Sequence, residues 1–83
     1  DEAGAAKLFR KAAWRNNPIA MNRLARLLVA GRGVEKNLTE AMKWHLLARA
    51  VGLNDEWLDQ TLGTLTPAQR REVDEAVQQF VGP

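Results

Sequence analysis

Apolar residues recur every three or four positions along most of this chain, and signals that start and stop helices bracket each run. Between Glu2 and Asn16, the residues Ala5, Leu8, Phe9, Ala12 and Ala13 fall on one helical face. Asn17-Pro18 then supplies an N-cap and a proline at the first helical position, so a second helix starts there. It runs to about Ala30 with Ala20, Leu24, Leu27 and Leu28 inward, and Gly31-Arg32-Gly33 stops it. Asn37-Leu38-Thr39-Glu40 has the spacing of a capping box and opens a third helix to about Val51, ended by Gly52. Asn54 is expected to cap a short fourth helix through Trp57, Leu58 and Leu62. A second capping box, Thr66-Pro67-Ala68-Gln69, opens a last helix to about Phe80. No alternating β-branched run exists, and the pattern predicts an all-α chain of about five helices.

Short links between helices favour antiparallel neighbours, and a row of such hairpins invites a search for a repeat. Shifting the chain by 36 residues places Asp1 on Asn37, Ala5 on Ala41, Lys7 on Lys43, Leu8 on Trp44, Phe9 on His45 and Ala12 on Ala48. A period of that length with two helices per repeat predicts an α-α superhelix.

Composition narrows the chemistry. The 83 residues suffice for one domain, and 46% hydrophobic with 27% charged residues is ordinary globular usage. There is no cysteine and no serine, which removes disulfides, thiolate metal sites and both common nucleophiles. No apolar run approaches the roughly 18–20 residues of a membrane span. The chain opens Asp1-Glu2-Ala3, so a processed or excised chain is expected, with any targeting segment outside it. Charge is uneven. Residues 1–53 carry ten Lys/Arg against four acids, a net +6, whereas residues 54–83 carry two against six, a net −4.

The remaining candidate groups are few. His45 is the only histidine and has no second His or Cys to complete a zinc site, so a packing role is expected. Asp55, Glu56 and Asp59 cluster on the short fourth helix, where negative charge near a helix N-terminus explains them without a cation. Gly31-Arg32-Gly33-Val34 follows a helix rather than a strand and is too short for a dinucleotide loop. Trp44 and Trp57 fall at core positions, and Trp14, off its helix's main stripe, is the aromatic expected to face solvent.

One stretch resembles a known family. Ala20-x-x-x-Leu24-Ala25-x-x-Leu28-x-x-Gly31-x-Gly33-Val34, followed by Asn37-x-x-x-Ala41-x-x-Trp44-His45-x-x-Ala48-x-x-x-Gly52, is similar to the Sel-one-like repeat, a relative of the tetratricopeptide repeat. Ala25 stands where that pattern has Gly, Leu28 and His45 where it has Tyr, Asn37 where it has Asp, and Arg49 where it has a second Ala. The resemblance implies one domain over residues 1–83. Residues 1–16 would be the second helix of a truncated repeat, 17–53 a complete repeat, and 54–83 a degenerate repeat plus a capping helix.

The resemblance also implies a function: a non-enzymatic protein–protein interaction scaffold holding a protein or peptide segment on its concave face. By analogy with tetratricopeptide proteins, Ile19, Asn22, Arg26 and Val29 are the expected partner-binding residues, with no cofactor, no metal and no membrane. The family's bacterial members are often exported or signalling-associated, which leaves cytoplasm and periplasm both open. The alternative is nucleic-acid binding through Arg10, Lys11, Arg15, Arg23, Arg26 and Arg32, which the acidic back half opposes. Self-association is a further expectation, because the apolar face of the first helix (residues 5–13) lacks the helix that would precede it in a repeat.

Overall fold

The computed structural model describes all 83 residues, and the chain is all-α. Five helices follow one another: α1 (Glu2–Trp14), α2 (Pro18–Ala30), α3 (Leu38–Ala50), α4 (Glu56–Leu62) and α5 (Pro67–Val81). Each begins where a short polar side chain takes up an orphan N–H of the first turn. Asp1 accepts from the Gly4 N–H at 2.8 Å, Asn17 from Ala20 at 3.0 Å, and Asn37 from Glu40 at 2.9 Å. At α5 the capping box is complete: Gln69 N–H donates to the Thr66 hydroxyl and the Gln69 side chain accepts from Thr66 N–H. Gly31 closes α2 in the left-handed conformation at φ 68°, ψ 39°.

Two local expectations are corrected. The box expected at Asn37 is half built, because the Glu40 carboxylate accepts two bonds from Arg10 Nη2, at 2.8 and 2.9 Å, and one from Trp44 Nε1 at 3.2 Å. The cap of α4 is Asp55 rather than Asn54, with its side chain accepting from Leu58 N–H. Leu58 enters the core and Leu62 packs against it one turn later, while Trp57, about 100° away around the helix, is 43% exposed and not a core residue.

The helices form two layers. α2 packs on both α1 and α3, and α3 in turn receives α5 and, more lightly, α4. Thus α1, α3 and α5 lie in one layer, tied by Arg10–Glu40 and by Trp14, whose ring centroid is 5.2 Å from that of Phe80. α2 and α4 form the other, joined where Asp55 meets Asn22 and Arg26. The shortest molecular dimension, 20 Å, is that of two helices stacked. The core between them holds Met21, Leu24, Ala25 and Leu28 of α2, Ala41, Met42, Trp44 and Ala48 of α3, and single residues Ala13, Leu58 and Val73 from the other helices. Trp44 is fully enclosed.

The turn from α2 to α3 touches the start of α1. Gly33 has φ +74°, and a Cβ there would collide with the backbone of Glu2 and Ala3. Arg32 pairs with Glu2 across the same contact. Only glycine fits, for both reasons.

Candidate functional site

Ile19, Asn22, Arg26 and Val29 are spaced by three and four along α2 and so share one stripe of it. The structure fills the middle of that stripe from within. Asp55 Oδ2 accepts from Asn22 Nδ2 at 2.7 Å and from Arg26 Nε at 2.7 Å, while Oδ1 accepts from Arg26 Nη2 at 3.0 Å and from Leu58 N–H at 3.1 Å. Burial alone would push this carboxyl up, but the bonds from Arg26, Asn22 and Leu58, with the Arg26 charge, outweigh it and lower its pKa from 3.8 to about 2. Asn22 is buried, so its amide is spent on the fold. Arg26 keeps an open side: its guanidinium carbon lies 5.0 Å from the centroid of the Trp57 ring. At the two ends of the stripe Ile19 is 61% exposed and Val29 is half-buried against the core.

Of the expected four, Asn22 and Arg26 are therefore brought together by Asp55, and Ile19 and Val29 lie apart from that cluster. Trp57 joins the surface unforeseen. The signal that could have shown it is Asp55 itself, three residues before Leu58 in the same relation as Asn17 to Ala20.

The acidic cluster of α4 divides by task. Asp59 accepts from His45 Nε2 at 2.6 Å and Arg49 Nη1 at 3.0 Å, and the His45 bond leads the causes that lower its pKa. An ionised carboxylate only accepts, so Nε2 carries the proton. His45 Nδ1 is left buried without a partner. Glu56 stays exposed. No group of three or more His, Cys, Asp or Glu is placed to hold a metal ion.

Lys43 occupies an aromatic box. Its Nζ lies 4.0 Å from the Trp44 ring centroid, 4.8 Å from Trp14 and 6.0 Å from Phe80, so α1, α3 and α5 each contribute a wall. The Trp14 and Trp44 planes cross at 85°, which presents ring faces and edges to each other as their quadrupoles prefer. Burial lowers the Lys43 pKa below 10.5, Glu40 raises it and Arg10 lowers it further. Trp14, the aromatic expected to face solvent, is thus half in solvent and half in the box.

Three of the six arginines and lysines suited to a nucleic-acid contact are paired within the chain: Arg10 to Glu40, Arg26 to Asp55 and Arg32 to Glu2. A cleft of about 480 Å³ between α1 and the α2–α3 turn mixes both signs, with Lys7, Arg10 and Lys36 facing Glu35 and Glu40. An apolar groove of about 220 Å³ lies among Met21, Leu47, Val51, Phe80 and Val81.

Compared with protein-family models, curated proteins and solved structures, the chain matches none. What it can do is read from its own surface. No helix is long and apolar enough to cross a membrane. On α2 and α4 the exposed side chains include Ile19, Arg26 and Trp57, with Arg26 held by Asp55 and stacked on Trp57.

Proposed function

We propose that this chain is a non-enzymatic protein-interaction module of the Sel-one-like repeat kind, which holds a protein or peptide segment along its α2–α4 face. The observation that carries the proposal is the Arg26–Trp57 stack. Arginine and tryptophan dominate the energetics of interfaces, and here both stand partly open. Asp55 grips the guanidinium in one plane and Trp57 lies over it, so little side-chain freedom remains to be lost on binding. Ile19, two turns away on the same stripe, offers a second apolar anchor.

An enzymatic reading has little to draw on. Asp55, Asp59 and His45 are each bonded to the chain's own side chains, and Lys43 sits among three aromatic rings. Nucleic-acid binding is left with Lys11, Arg15 and Arg23 from its expected set, and the acidic back half still opposes it.

Selection of displayed peptides on the immobilised chain tests the proposal, with the double variant Ile19→Asp/Trp57→Ala as the counter-target. Both positions are exposed, so the variant keeps its fold. Enrichment of peptides that bind the native chain and not the variant supports the α2–α4 face; a selection that yields no such peptide overturns it.

A further inference from the structure

α1 and α3 can be compared position by position, because each spans thirteen residues and each is capped by the residue before it, Asp1 and Asn37. The four positions that line the inner face of α3 (Ala41, Trp44, His45 and Ala48) are all fully buried. Their counterparts on α1 are not. Ala5, Phe9 and Ala12 are only partly covered, and Leu8, the counterpart of Trp44, is 69% exposed. The difference lies in the neighbours: α3 is flanked by α2, α4 and α5, whereas α1 packs closely on α2 alone. α1 buries Ala6 and Ala13 instead, and among the compared positions Leu8 is the one left open.

The charges around Leu8 say what would cover it. Lys7, Lys11 and Arg15 flank Leu8 within two turns, all are exposed, and none is in an ion pair. The two acids at that end are engaged, Asp1 in capping Gly4 and Glu2 with Arg32. We propose that the outer face of α1 docks an acidic amphipathic helix of a partner protein, its apolar stripe over Ala5, Leu8 and Ala12 and its carboxylates against Lys7, Lys11 and Arg15. A second copy of this chain fits less well. Front to front it would set the same cations against one another, and its own acidic helix, α5, already spends its apolar face (Val73, Val77 and Phe80) on the core. This surface is separate from the α2–α4 face, and neither proposal depends on the other.

The test uses three synthetic helices of about 18 residues: an acidic amphipathic one, the same apolar stripe with lysines for the acids, and an acidic one with the stripe scrambled. Amide shifts of the isotope-labelled chain report the site. The acidic amphipathic peptide is expected to move residues 4–12 of α1, to bind about tenfold more tightly than its basic counterpart, and to weaken as salt rises from about 50 to about 500 mM. Leu8→Asp is expected to lose about tenfold of that affinity, since one well-buried leucine is worth at least that much, with the melting temperature unchanged. Equal binding of acidic and basic peptides overturns the proposal, as does binding of the scrambled peptide or a shift map confined to α4. Sedimentation showing the chain paired through α1, with no peptide competing, overturns it in favour of self-association. A shift map confined to α4 would support the α2–α4 proposal instead; the other results leave that proposal, which is read at Trp57 and Ile19, untouched.

Discussion

Arg26 holds Asp55 with two nitrogens, Nε at 2.7 Å and Nη2 at 3.0 Å, across 29 residues of sequence. The same carboxylate caps α4 through Leu58 N–H, so one side chain both starts the short helix and fastens it to α2. A seven-residue helix is too short to be stable by itself, and this fastening supplies what its length cannot.

Asp55→Ala removes the cap and leaves Asn22 and Arg26 without their acceptor. The expected loss is about 2–4 kcal/mol, combining a cap worth about 1 with stranded donors worth about 1–3. Urea denaturation at neutral pH measures it. A loss near zero would mean that α4 is held by Leu58 alone.

Asp55 also sets an acid limit. Its folded pKa, about 2, lies below the ordinary 3.8, so its contribution is complete above 3.8 and fades as pH falls towards 2. Asp59 is lowered in the same sense and adds to the same limb. Asp55→Asn, which keeps the shape and can still cap, is expected to flatten the fall in stability across that window. An unchanged slope contradicts the assignment.

The two tryptophans that look alike in sequence should behave differently. Trp44→Ala empties a fully buried site and is expected to cost about 3–5 kcal/mol. Trp57→Ala removes an open ring stacked on Arg26, worth about 0.5–1 kcal/mol. Melting curves of the two variants, run side by side, decide it; equal losses would place Trp57 in the core after all.

Gly33→Ala meets both a left-handed backbone and the Glu2–Ala3 main chain, whereas Gly52→Ala, at φ +95°, meets nothing within 4 Å. The second should cost about 1 kcal/mol of backbone strain and the first clearly more, because α1 must move aside. Similar losses for both would mean that α1 does not rest on the turn.

Lys43 gives a sign that runs the other way. Its folded pKa lies below 10.5, so the unfolded chain binds the extra proton, and stability rises with pH through the interval between the folded value and 10.5. Lys43→Met leaves an apolar chain in the aromatic box and should remove that alkaline rise while keeping the fold. A variant whose alkaline profile runs parallel to the native one would contradict the burial of the ammonium.

The features legible in the sequence are the ones fixed by a few neighbouring residues. Asn17-Pro18, Gly31 and the Thr66–Gln69 box mark helix ends correctly because a cap depends on residues no more than a turn apart. The 36-residue register likewise aligns α1 with α3 from cap to last residue. Trp57 and Leu58, however, stand about 100° apart on α4, and only the packing of the helices shows that Leu58 and not Trp57 meets the core. Glu40 looked like half of a capping box because its true partner, Arg10, lies 30 residues away. For the same reason the candidate site was half visible: Asn22 and Arg26 stood out on α2, but the carboxylate that binds them belongs to another helix. The Lys43 box needs three helices in place, and no local pattern encodes it.

Whether the α2–α4 face takes a partner segment is tested most directly by the indole N–H resonance of Trp57. A peptide selected on the chain should shift that resonance and the amides of residues 19–29 together and saturably, while duplex DNA at low salt leaves them unmoved. Saturable binding of a peptide that the Ile19→Asp/Trp57→Ala variant rejects, with Trp57 and residues 19–29 left in place, or a Trp57 shift produced by DNA, would contradict it.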